Sequence, residues 1–205
     1  MIFIVLLKSV FYSEWLNWLN KLDTFIFFKI NTVYTSSFFD ALFPWYREGN
    51  TWIPLYLFLI LFVIINFKKS ALQWIIFVVI TLLLTDQLSS SIVKPFFERL
   101  RPCTDPILMN KVRLLLNHCS GGFSFTSSHA TNHFGFAVFI MMTLGHVFRK
   151  WKYLFLIWAA SVSYGQIYVG VHYPFDILGG AILGTTIGWL TASFYIRRIG
   201  LPVFT

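Results

Sequence analysis

Five stretches of this chain are apolar for nearly the length a bilayer demands. Residues 51–67, 71–93, 130–148, 152–169 and 175–196 carry few charges, and each approaches the roughly 20 residues that cross a hydrocarbon core as a helix. The pattern before them differs. Over residues 14–30, Trp15, Trp18, Leu19, Leu22, Phe25 and Ile26 recur at helical spacing, with Asn17, Asn20, Lys21 and Asp23 between them. That alternation predicts a helix lying in the membrane interface. Residues 35–50 set Pro44, Arg47, Glu48 and Gly49 among aromatics, which predicts a broken, partly inserted segment. A sixth crossing, if there is one, comes from the first 45 residues. The expected fold is therefore an all-α integral membrane protein, a bundle of five or six transmembrane helices with an N-terminal interfacial helix. The expected divisions are a segment 1–50, a transmembrane domain 51–198 and a tail 199–205. The opening run MIFIVLLKSVFY has no basic flank before it and no small-residue cleavage site after it, so it is expected to be retained.

Composition agrees with this assignment. The 205 residues are 57% hydrophobic and only 12% charged, where a soluble domain carries roughly 25% charged residues. The formal charge of +8 does not point to nucleic acid, because the basic residues sit at the ends of apolar runs and form no surface stripe. A lipid bilayer and a phosphorylated lipid explain them better.

Residues 94–129 are too rich in charge and turn formers to cross lipid and must lie at one membrane face. Lys68, Lys69, Arg149, Lys150, Lys152, Arg197 and Arg198 fall at the opposite face, which is expected to be cytoplasmic. The polar loop also carries Lys94, Arg99, Arg101, Lys111 and Arg113, as a phosphate-binding loop would. Cys103 and Cys119 lie in the same loop, and in an oxidising exterior compartment they are expected to pair.

Three clusters carry candidate chemistry: Lys94 with Arg101-Pro102, Ser127-Ser128-His129, and His172 with Asp176. Alternation of the spans brings all three to one face although they are far apart in sequence. Ser127 and Ser128 stand before a span, where a serine caps a helix and unpaired N–H groups attract anions. Lys94 supplies a compact charge and Arg101 a planar fork for phosphate oxygens. His172 precedes Pro174, a residue favoured in a helix's first turn, which puts Asp176 within reach of the imidazole. The carboxylate would set the tautomer, leaving the other nitrogen to attack phosphorus. His129 would then protonate the leaving oxygen. Taken singly, each residue has a plainer use as an anchor, a cap or an interfacial histidine. Their convergence is what argues for chemistry.

These residues resemble the motifs of the type 2 phosphatidic acid phosphatase family, which includes bacterial lipid phosphatases and vanadium haloperoxidases. KPFFERLRP from Lys94 to Pro102 matches lysine, six residues, Arg-Pro; TSSH from Thr126 to His129 corresponds to Pro-Ser-Gly-His. GQIYVGVHYPFD from Gly165 to Asp176 corresponds to Ser-Arg, five residues, His, three residues, Asp. The resemblance covers about residues 50–198. It implies a metal-independent hydrolase of lipid phosphates with no cofactor, working through a phosphohistidine and inhibited by vanadate. His172, His129 and Asp176 would be catalytic, with Lys94, Arg101, Ser127, Ser128 and Gln166 binding the phosphate. The expected substrate is undecaprenyl diphosphate, at the outer face of a bacterial cytoplasmic membrane; lipid A and phosphatidylglycerophosphate are the alternatives.

Three positions depart from the family: Gln166 replaces its second arginine, Ser128 a glycine and Thr126 a proline. Loss of that arginine predicts either compensation by Lys94, Arg99 and Arg101 or slow turnover. It also leaves open a non-catalytic lipid-phosphate binding or transport protein. A metal-dependent hydrolase built on His129, His133, His172 and Asp176 is a third possibility, although His133 is expected only to pack beside the site. Asp86, inside a span, is expected either to support the site or to bond a neighbouring helix. Glycines 179, 180, 184 and 188 predict close helix packing, within the bundle or between the two copies of a homodimer.

Overall fold

The computed structural model describes residues 14–202, so the opening apolar run lies outside the described residues. Every regular element among them is helical. Helix α1 (Glu14–Phe28) runs into a π-turn, Lys29–Val33. Helix α2 (Ser37–Tyr46) is capped by the Ser36 hydroxyl, which accepts from the Phe39 amide at 3.3 Å. Helix α3 (Ile53–Phe67) follows a short 3-10 turn and carries Pro54 in its first turn, where a missing N–H costs nothing. Helix α4 (Ala71–Gln87) passes through a π-turn, Leu88–Val93, into α5 (Lys94–Phe97). Helices α6 (Ser128–Thr143), α7 (Gly145–Phe148), α8 (Tyr153–Tyr168) and α9 (Pro174–Arg198) follow.

Among the described residues three helices are long and apolar enough to cross a membrane: Gly49–Phe67, Ala71–Phe97 and Pro174–Arg198. The second is longer than its apolar run predicts, because α5 continues past residue 93. Its 27 residues rise about 40 Å, some 10 Å more than a hydrocarbon core. Lys94 therefore lies on the continuing helix and does not open a loop. The rod stops at Glu98, which takes a left-handed conformation at φ 48° and donates its N–H to the Lys94 carbonyl.

Helix α6 is the axis of the bundle. Ala130, Ala137, Phe139 and Ile140 are fully buried, and α4, α8 and α9 pack around it. Helix α9 comes closest, because its small residues form a channel for the α6 backbone. A Cβ on Gly180 would lie 2.7 Å from the Ser127 carbonyl oxygen, and one on Gly184 or Gly188 would strike the backbone of Thr131 or Gly135. Within the chain, then, the glycine stripe serves intramolecular packing; Gly179 instead faces Phe125 and Thr126. The outer faces are apolar. Leu57 and Ile65 on α3, Leu72 and Leu83 on α4, and Ile182 and Leu190 on α9 are all more than half exposed, as suits helices whose surroundings are hydrocarbon.

Helix α1 turns out differently from its sequence pattern. Trp18 and Phe25 project outward, while Asp23 is fully enclosed. The polar position that reads as a solvated face is the one that docks the helix.

Candidate active site

Helix α9 begins where Asp176, three residues beyond the N-cap Tyr173, turns its carboxylate back to accept from the Tyr173 amide at 2.8 Å. That bond holds Asp176 pointing out of the helix start and toward His172. Oδ2 also accepts from the Ser124 hydroxyl at 2.5 Å and faces His172 Nδ1 at 3.4 Å. Oδ1 accepts from Arg99 at 2.8 Å. Arg99 is committed twice more: to Asp23 at 2.6 Å, and over the Tyr173 ring at 4.1 Å. Asp23 in turn accepts from the Phe175 amide at 2.9 Å. Arg99 thus fixes the carboxylate and docks α1. Two of its five N–H groups are committed to buried aspartates.

His172 is 2% exposed. Its Nε2 lies 3.0 Å from Arg101 Nη1. A guanidinium only donates, so Nε2 is the accepting nitrogen and Nδ1 carries the proton. Burial, followed by the positive charges of Arg101 and Lys94 and opposed by Asp176, pushes the His172 pKa down to about 4. At neutral pH the ring is therefore uncharged.

Arg101 is held by backbone carbonyls: Nε on Gly122 at 3.2 Å, Nη2 on Gly121 at 3.3 Å and Nη1 on Val171 at 3.1 Å. The loop that presents these carbonyls is closed by the Cys103–Cys119 disulfide, Cα to Cα 5.9 Å. Arg101 lies two residues before one half-cystine and Gly121 two after the other, so the bridge keeps the guanidinium and its carbonyls together. Closing a loop of this length is worth roughly 3 kcal/mol in the chain-entropy model. Cys103→Ser/Cys119→Ser is accordingly expected to lower thermal stability in detergent by about that amount. An unchanged melting curve would contradict it.

Ser127 caps α6, its hydroxyl accepting from the Ala130 amide at 3.4 Å. The Ser127 amide donates to the Asp176 carbonyl at 3.1 Å, joining the starts of α6 and α9. The Ser128 hydroxyl accepts from Ser89 of the α4 π-turn at 3.0 Å. What Ser128 and His129 offer an anion is thus chiefly their N–H groups, which have no partner inside the helix. His129 is partly exposed in the first turn of α6, within electrostatic reach of His172 and Lys94. Lys94 is also within reach of Arg101 and Asp86, and Asp86 accepts from Asn132 of α6 at 3.2 Å.

His133 donates Nδ1 to the His129 carbonyl at 2.7 Å and lies against Trp158. Its ring is parallel to that of His129, 6.3 Å away. Among the described residues no group of three or more His, Cys, Asp or Glu converges as metal ligands would. The structure thus gathers Lys94, Arg101, Ser127, His129, His172 and Asp176 at one end of the bundle. Sequence reasoning missed Ser124, Asp23 and the role of Arg99. A serine three residues before the cap and an aspartate on an amphipathic helix carry no motif signal.

Clustering of this kind at the start of two packed helices defines a phosphate-handling membrane enzyme, and comparison with known proteins agrees. The PAP2 superfamily model matches residues 71–199, and the chain belongs to that family, as a phosphatase acting on membrane lipids. It is 34% identical to the lipid A 4'-phosphatase of Bacteroides thetaiotaomicron over 85% of this chain and 77% of that protein. It is 30% identical to the undecaprenyl-diphosphatase of Sulfolobus acidocaldarius over 72% of this chain and 65% of that one. The crystal structure of Aquifex aeolicus LpxE superposes with a TM-score of 0.61 at 26% identity, covering 84% of this chain and 95% of that one.

Proposed function

We propose that this protein removes a phosphate monoester from a lipid A-type glycolipid by way of a phosphohistidine on His172. The observation that carries the chemistry is the His172 ring, neutral, with Nδ1 turned to Asp176 and Ser124 and Nε2 turned to Arg101. In the reaction a phosphate oxygen replaces the ring as the Arg101 partner, and Nε2 attacks phosphorus as the lipid alkoxide leaves. His129 supplies the proton to that alkoxide and later takes one from water, which frees inorganic phosphate. Lys94, Arg101 and the amides at the start of α6 hold the equatorial oxygens. The lipid assignment draws support from the Bacteroides thetaiotaomicron relative, named a lipid A 4'-phosphatase. Undecaprenyl diphosphate, the substrate preferred from sequence, is the second reading. It is supported by a relative of that name with lower identity and coverage.

Five crossings follow if α6 with α7, and α8, also traverse the bilayer. The unbroken helices α6 and α8 have 16 residues each, shorter than the long spans; α6 is enclosed by the bundle, while Tyr153, Leu154 and Ile157 leave the first half of α8 open to lipid. A disulfide beside the site suits an exterior, oxidising face of a bacterial inner membrane.

Phosphate release from lipid A, undecaprenyl diphosphate and phosphatidylglycerophosphate, by purified protein in detergent with chelator, tests the proposal. Preference for lipid A is expected. Preference for the diphosphate would move the assignment to the second reading, and no release from any of the three would overturn it. The pH profile is a separate check. Protonation of His172 removes the attacking lone pair, so activity is retained down to mildly acidic pH and falls only as pH drops through about 4. With the substrate's own ionisation measured by phosphorus NMR and removed, an acid limb near pH 6.5, the ordinary histidine value, would contradict this environment.

A further inference from the structure

The side chain of Gln166 is 1% exposed and grips an arginine from another part of the chain. Arg47 Nη1 donates to Gln166 Oε1 at 2.7 Å, and the Gln166 amide donates back to the Arg47 carbonyl at 3.4 Å. Arg47 follows α2 directly and is 6% exposed. Its approach depends on Gly165. A Cβ there would sit 3.3 Å from the Arg47 Cβ and 3.0 Å from the Phe43 ring. The Gly-Gln pair is thus a socket in α8 for a residue delivered by α2.

The socket holds a cation that its surroundings do not finish satisfying. Nη2 pairs with Glu48, whose carboxylate is half exposed at the rim. Nε is buried with no hydrogen-bond partner among the described residues. The Arg47 charge also reaches Arg101 and His129, so Arg47 joins an end of the bundle already crowded with positive charge. Burying a guanidinium beside other cations with an unspent donor is costly unless an anion completes it.

We propose that Arg47 is a phosphate-binding residue of this active site, contacting an oxygen of the lipid phosphate, and that Gln166 is the positioning residue that aims it. The inference rests on the phosphatase reading above and extends it to the amino-terminal segment. The charge absent from position 166 enters from α2, so the motif that looks incomplete in sequence is completed in space. Docking of that segment is correspondingly elaborate. Asn31 is fully buried, donating to the Tyr168 and Arg113 carbonyls at 2.9 Å, and Asp40 accepts from both Arg113 and the Tyr168 hydroxyl.

The test compares wild type, Arg47→Gln, Gln166→Arg and the double variant Arg47→Gln/Gln166→Arg, purified in detergent. Binding of orthovanadate is measured by calorimetry, and kcat/KM on whichever lipid the wild type hydrolyses. Arg47→Gln is expected to weaken vanadate by about tenfold or more and to lower kcat/KM by roughly 10²- to 10³-fold. The double variant should recover about tenfold of that loss, because the new guanidinium occupies the same socket. Thermal unfolding of each variant is followed alongside, because a merely structural Arg47 would lower the melting temperature and leave the vanadate affinity of the folded protein unchanged. Wild-type vanadate affinity in Arg47→Gln, or a double variant no better than the single, would overturn the inference. If Arg47→Gln does not fold, Arg47→Lys decides: reduced vanadate affinity in a folded protein supports the role, and unchanged affinity with unchanged kcat/KM removes it. A wild type that binds vanadate but hydrolyses no lipid sinks the functional proposal while leaving the Arg47 comparison intact.

Discussion

His172→Asn is expected to abolish phosphate release, by roughly 10⁴-fold or more, the scale on which deleting a nucleophile acts when binding and electrostatic groups remain. Asparagine preserves a polar group of similar reach but has no lone-pair nitrogen able to form a bond to phosphorus. The protein should stay folded, because the bonds from Asp176 to Ser124, Tyr173 and Arg99 do not involve the ring. The accompanying measurement is labelling with a substrate radiolabelled in the phosphate, quenched in alkaline detergent. Wild type should trap label that is stable in base and labile in acid, and His172→Asn should trap none. Turnover within about tenfold of wild type in the variant would exclude the covalent route, since deleting a nucleophile costs several powers of ten.

The second large effect is structural. Gly184→Leu is expected to prevent α9 from seating on α6, because a Cβ at this position strikes the Thr131 carbonyl and backbone groups cannot rotate aside. Overpacking typically costs 1–3 kcal/mol or more where it forces backbone shifts. A leucine between two helices whose first turns carry His129 and Asp176 should exceed about 3 kcal/mol and uncouple the site. Thermal unfolding in detergent, followed by size-exclusion profile, measures it. Ile182, 69% exposed on the outer face, is the control, and Ile182→Leu should leave both the profile and activity unchanged. A Gly184→Leu protein as stable as wild type would mean that the two helices do not pack in this register.

Much of the site was legible because its chemistry is local. Ser127 announces a helix cap and Pro174 a helix start, and the spacing from His172 to Asp176 is one turn, so each cluster is read from neighbours in sequence. The three long spans were legible for a similar reason, since apolar length is a property of consecutive residues. Where the reading failed, the partner was distant. Asp23 sits on a helix whose spacing predicts a solvated polar face, yet it is buried on Arg99, a residue 76 positions away. Arg99 was counted as a spare cation because nothing near it in the chain is acidic except Glu98. Gln166 read as a loss of charge because Arg47, 119 positions earlier, belongs to no motif.

By itself, then, the sequence determined that this is a helical membrane protein, where its long apolar runs begin and end, and which histidines and cations could meet at one face. It also determined the sites of the caps and glycines, since these depend on backbone geometry within a turn. Only the tertiary structure decided that Gly180, Gly184 and Gly188 face α6 and that Arg99 bridges two aspartates. It alone decided that His172 stands between Asp176 and Arg101, and that the amino-terminal segment brings Arg47 onto Gln166. These outcomes depend on which buried charges share an enclosed volume. That is set by the packing of helices far apart in the chain, and no window of consecutive residues contains it.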